Sequence, residues 1–129
     1  MIRAVLALAL ALCGCALEPA EYTIVVVNGS ADDLVVELAQ DGDRPAQTFV
    51  DQPCSAHAES ISVGRLWRLR SVDGHVYFDS RSAQPIGANK RVEVRLLPDG
   101  STSVSTADIA IVGRDAPIQF DCADPPQHA

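Results

Sequence analysis

Tyr22-Thr23-Ile24-Val25-Val26-Val27-Asn28-Gly29 is the stretch on which the fold turns. It is almost wholly apolar and rich in β-branched residues, it is too short for a typical helix, and it stops at an Asn-Gly turn signal. That combination predicts a central β-strand. Outward from it, Leu34, Val36 and Leu38 alternate with Val35, Glu37 and Ala39, the pattern of a strand with one buried face, and Asp41-Gly42-Asp43 then turns the chain. Ile61, Val63, Trp67 and Leu69 share one parity with Arg65 among them, while Ser62, Leu66, Arg68 and Arg70 take the other, so the stretch reads as one strand. Asp73-Gly74 between that strand and Val76-Tyr77-Phe78 is a hairpin signal. Val92, Val94 and Leu96 alternate with Arg91, Glu93 and Arg95, and Pro98-Asp99-Gly100 turns the chain into Ser101 to Thr106. Ile109 to Val112 and Ile118 to Phe120 are the last expected strands.

Val- and Ile-rich stretches separated by turns at this spacing predict an all-β sandwich of seven to eight strands, with no helical or βαβ signature. The expected domain runs from 22 to 122, followed by a tail at 123–129 that holds two prolines.

The N-terminus carries a different message. Met1-Ile2-Arg3 is followed by an Ala/Leu/Val run from Ala4 to Leu12, a basic start and a short apolar segment of the kind that directs export. The run is about half of the ~20 apolar residues that a membrane-spanning helix needs. It ends in Leu12-Cys13-Gly14-Cys15, which resembles the bacterial lipobox, where a small residue precedes a cysteine that is acylated and becomes the new N-terminus. Residues 1–14 are thus expected to be a signal peptide, Cys15 the lipidated anchor and 15–21 a short linker. Acyl chains contribute about 0.8 kcal/mol per buried CH2, so the polypeptide itself needs no membrane-binding surface. Ala16 beside the lipidated cysteine, in place of an aspartate, resembles the pattern of lipoproteins that move to an outer membrane where the host has two.

Removing residues 1–14 takes away Arg3 and no acid, so the side-chain charge falls from −7 to −8. Such an acidic chain is not expected to bind nucleic acid. Cys54 and Cys122 are then the only other cysteines, and an exported domain favours their pairing; two free thiols, or a thiol nucleophile with a histidine partner, are the alternatives.

At this point the segments resemble a known family. Val27-Asn28-Gly29-Ser30, the apolar strand leading to Asp41-Gly42-Asp43-Arg44-Pro45, then Gly64-Arg65-Leu66-Trp67-Arg68-Leu69-Arg70 and Val76 to Asp79 resemble the β domain of the von Hippel-Lindau tumour suppressor family, over about Thr23 to Asp79. The resemblance implies a transthyretin-like β-sandwich. In that family the β domain binds a hydroxyproline-containing peptide as an added strand, in a pocket of two tryptophans, a tyrosine, a serine and a histidine. Trp67 matches one tryptophan. Glu37 falls where the other would be, Gln47 at the tyrosine and Arg65 at the histidine, with Ser60 or Ser62 near the serine. Charged Glu37 and Arg65 would have to be desolvated in such a pocket, so hydroxyproline recognition is not expected. The family's helical partner-binding segment has no counterpart, and its ubiquitin-ligase role does not transfer.

No motif for catalysis, metal or cofactor stands out. His57, His75 and His128 are scattered without ligand spacing, Asp41-Gly42-Asp43 lacks the further carboxylates of a calcium loop, and there is no nucleophile elbow or glycine-rich phosphate loop. No cofactor is expected. Arg65 on a buried parity needs a partner, and Glu37 is the carboxylate expected to supply it. Arg68, Arg70, Arg91 and Arg95 are either a basic stripe or ordinary outward-facing strand charges. The candidate binding face is therefore Glu37, Gln47, Arg65 and Trp67. The leading expectation is a non-catalytic, lipid-anchored module of the cell envelope that binds an envelope protein or peptide. A structural or assembly accessory comes second, and an envelope hydrolase or its inhibitor third.

Overall fold

The computed structural model describes residues 20–120 and Cys122; the expected signal peptide at 1–14, Cys15, most of the expected linker and the 123–129 tail lie outside the described residues. The chain forms β1 (Glu21–Asn28), β2 (Leu34–Leu38), β3 (Gln47–Asp51), β4 (Ser55–Ser62), β5 (Trp67–Ser71), β6 (Val76–Asp79), β7 (Lys90–Leu96), β8 (Thr102–Asp108) and a single helical turn, α1 (Ile109–Val112). They make an all-β sandwich of two four-stranded sheets, ordered β4-β1-β7-β8 and β3-β2-β5-β6. β1 is central as expected, antiparallel to β4 and parallel to β7. Its inward side chains Tyr22, Ile24 and Val26 join Ile61, Val92, Val94 and Leu96 against Leu34, Val36, Leu38, Trp67 and Leu69 of the other sheet.

β1 is buried on its other face as well. Thr23, Val25 and Val27 point away from the sandwich core and are nonetheless buried, Val25 at 1% exposure. The chain beyond α1 supplies a cover for that side of the sheet. The Arg91 guanidinium donates to Gly113 O (3.4 Å), Ala116 and Pro117 border one cleft with Arg91, Glu93, Ser105 and Ala107, and Cys122 is bonded to Cys54 at the far end of β1. This strap explains the unbroken apolar run, since a strand covered on both faces has no polar side.

Three expectations give way. The single strand across 61–70 is two strands in different sheets: β4 ends at Ser62, and Val63-Gly64-Arg65-Leu66 carries the chain across to β5. Gly64, at φ 91°, makes the corner, which preserves side-chain parity and so hides from period counting. Ile109 to Val112 is helical, because the ladder ends where Ile109 N–H donates to Asn89 O, and Gly113 N–H closes one turn onto Ile109 O. Ile118 to Phe120 forms no strand and belongs to the strap, behind Pro117, which has no N–H to offer a ladder. Neither β3 nor β4 before Ile61 was foreseen; the buried parity of β3 holds Phe49 and Asp51, so a charged residue interrupts its apolar signal.

The Cys54–Cys122 pair is a disulfide, with a Cα–Cα distance of 5.3 Å and a sequence separation of 68 residues. A loop of that length restricts the unfolded chain by about 4 kcal/mol. The double variant Cys54→Ser/Cys122→Ser is expected to lose about 4 kcal/mol in urea unfolding. Its β1 amides should also exchange faster than those of β5, because the strap is released from one sheet only; equal changes in both would mean that the disulfide acts on the fold as a whole.

Candidate functional site

The four candidate residues do not form one face. Trp67 is 2% exposed and lies in the core, tilted against Phe78 at 4.5 Å, with its indole N–H donating to Tyr22 Oη (2.9 Å). Burial pushes the Tyr22 hydroxyl above its ordinary pKa, against the opposing effect of that hydrogen bond. Arg65, 6% exposed, does not meet Glu37. Its Nε donates to Ala39 O (2.8 Å) and its Nη2 to Pro45 O (2.9 Å), tying the sheet-crossing corner to both ends of the turn that holds Asp41 and Arg44. The buried guanidinium is satisfied by carbonyls in place of a carboxylate.

Glu37 is engaged elsewhere. It stands directly opposite Arg68 across the β2–β5 ladder and accepts hydrogen bonds from Arg68 Nη2 (3.2 Å) and Arg70 Nε. The Arg70 contact is the main reason its carboxyl sits below the ordinary carboxylate range, with Arg68 adding to it against partial burial. The supposed stripe divides accordingly: Arg68 and Arg70 are on β5, whereas Arg91 and Arg95 are on β7 of the other sheet, where Arg95 contacts Glu93 (3.3 Å).

A cleft of about 250 Å³ does gather three of the four candidates. It opens beside the end of β2 and the start of β5, lined by Glu37, Gln47, Arg68, Asp79 and Arg81, with Trp67 and Leu66 contributing apolar wall. Leu38 lies opposite both Gln47 and Trp67, which is why the two approach the same cleft. Asp79 and Arg81 were not anticipated; Asp79 ends the short strand β6 and Arg81 follows it, and neither spacing nor periodicity points to them. The cleft therefore offers two acids and two bases around a small apolar wall.

A second polar cluster lies where β3 runs into β4. Asp51 is 2% exposed; its Oδ1 accepts from Ser55 Oγ and its Oδ2 has no partner among the described residues, and desolvation raises its pKa. Ser55 Oγ also lies 2.5 Å from Gln52 O, which competes for its one proton, and His57 pairs with Glu59 (3.1 Å) while stacking on Phe49. Serine and histidine there share no hydrogen bond, so the cluster lacks the nucleophile–base contact of acyl-transfer chemistry. Among the described residues no three His, Cys, Asp or Glu side chains converge on a metal position, and no helix is long and apolar enough to cross a membrane. No protein-family model matches the chain, and no curated protein is significantly similar to it.

Arg65→Ala should cost about 2–3 kcal/mol in urea unfolding, because two charge-assisted bonds are lost and two carbonyls are left beside an empty space. The two perturbed carboxyls predict opposite pH dependences. Glu37 is depressed when folded, so the advantage of wild type over Glu37→Gln should be full above pH 4.5 and fade as pH falls through the folded value. Asp51 is raised, so wild type should compare best with Asp51→Asn below pH 3.8 and lose ground as pH rises through the folded value. Unfolding free energies across the acid range check both signs.

Proposed function

We propose that this chain is a bacterial lipoprotein, anchored to the cell envelope through lipid on Cys15, whose sandwich is a non-catalytic module that binds an envelope protein or peptide. The observation that carries the binding reading is the open cleft by β2 and β5, where Glu37, Arg68, Asp79 and Arg81 surround an apolar wall. Charges of both signs on rigid strands suit the backbone and side chains of a polypeptide better than they suit an apolar ligand. The anchor rests on the apolar run ending at Gly14-Cys15, and the disulfide agrees with an oxidising compartment.

The resemblance to the von Hippel-Lindau β domain supports a peptide-binding role in a changed form. Glu37 is occupied by two arginines, Arg65 by two carbonyls and Trp67 by the core, so the positions matching that family's pocket do not converge here on a hydroxyproline site. Any ligand taken up at this end meets Gln47, Arg68 and Arg81 instead.

Fatty-acid labelling in cells tests the anchor: label is expected on wild type and absent from Cys15→Ser, and label that persists would remove the assignment. A photo-crosslinking residue at Gln47 tests the site. In the native envelope it should give a discrete adduct that Arg81→Ala weakens at least several-fold without a change in unfolding midpoint. Adducts no different from those formed at exposed Val50 on β3 would refute binding at the cleft.

A further inference from the structure

The first sheet ends in a strand with one open edge. β8 lies last in the order and, among the described residues, pairs with β7 alone. Hydrogen bonds beyond the two ends of that ladder show which of its backbone groups are free. Ile109 N–H donates to Asn89 O (3.0 Å), and Leu97 N–H donates to Ser101 O (2.8 Å). Both are odd-numbered pairs in the register of the ladder, and bonded and non-bonded pairs alternate along an antiparallel ladder. Ser103, Ser105 and Ala107 therefore aim N–H and C=O at β7, while Thr102, Val104 and Thr106 aim theirs outward.

The side chains of this outward set lie opposite Leu96, Val94 and Val92, on the core-facing side of the sheet. All three are exposed, Val104 at 50%, because the second sheet does not cover β8. Edge strands are commonly guarded by charge, proline or a bulge. From Ser101 to Ala107 there is neither charge nor proline, in a chain whose net charge is −7, and the β7–β8 register has no bulge.

We propose that β8 is a self-association edge, on which a second copy of this chain docks its own β8, antiparallel, about a two-fold axis at Val104. The two four-stranded sheets would become one continuous sheet of eight. In this register Val104 faces Val104 and Thr102 faces Thr106, all of them residues with outward backbone groups, so the contact is self-complementary as a two-fold interface requires. The two half-exposed valines cover each other, and the threonines form cross-strand pairs. Charge favours a second copy here over other places on the surface. Two acidic molecules approach with least repulsion along an edge that is neutral from Ser101 to Ala107.

Val104→Pro is the direct test, because the Val104 N–H makes no bond to β7 and a proline there removes only an outward donor. The full chain in detergent is expected to sediment as a dimer at about 100 µM. Val104→Pro should be monomeric with an unchanged unfolding midpoint. A second variant needs no proline: Val104→Cys should form a disulfide-linked dimer through the introduced thiol in cells, and Val50→Cys, on an edge of the other sheet and 59% exposed, should not. A monomeric wild type at that concentration, a dimeric Val104→Pro, or Val104→Cys linking no more than Val50→Cys would each overturn the proposal. None of these outcomes depends on the cleft, so they leave the binding reading untouched.

Discussion

Everything in this fold follows from the need to hide β1 on both faces. Seven consecutive residues, Tyr22 to Asn28, are buried, and a strand of that kind cannot lie at the surface of a single sheet. One face demands the second sheet, with Leu34, Val36, Leu38, Trp67 and Leu69 set against it. The other is crossed by the strap, a segment with almost no secondary structure of its own that is held at one end by α1 and at the other by a disulfide. The staple is thus part of the core's enclosure and not an addition to a finished sandwich. Asn28, at the end of the same strand, extends the logic to polar groups: its Nδ2 donates to Asp32 O (2.7 Å) and Asp51 O (3.0 Å), while its Oδ1 accepts from Ser30 N–H (3.0 Å). One side chain ties the end of β1 to the end of β3.

Periodicity alone made most of this legible. β1, β2, β6, β7 and β8 lie where apolar alternation and the Asp-Gly turns put them, because those segments have one dominant environment per face. Legibility failed where a backbone feature replaced a side-chain pattern. Gly64 turns the corner between sheets without disturbing parity, so two strands read as one. Asp51, buried with an unpartnered oxygen, erased the signal of β3. The strap could not be read from Ile118 and Phe120, whose β-branched and aromatic character is shared by strands and by segments that simply lie on a sheet.

The candidate site was legible in its parts but not in its pairing. Glu37, Gln47 and Trp67 do border one cleft, since β2 places Leu38 between the last two. Arg65 on a buried parity called for a carboxylate, and parity alone pointed to Glu37. A buried guanidinium can be satisfied by carbonyls of a loop, and loops carry no periodic signal by which such acceptors could be named. Glu37 was then free to be taken by Arg68 and Arg70, which are cross-strand and diagonal neighbours in a register that only the paired sheet reveals.

The parallel pairing of β1 with β7 also has a consequence in time. Thr23 meets Arg91 and Asn28 meets Leu96, so the first strand to leave a ribosome or an export channel waits for nearly the whole domain before its central ladder can close. Its cover arrives later still, with Cys122. Throughout that interval the most aggregation-prone segment of the chain has neither face enclosed.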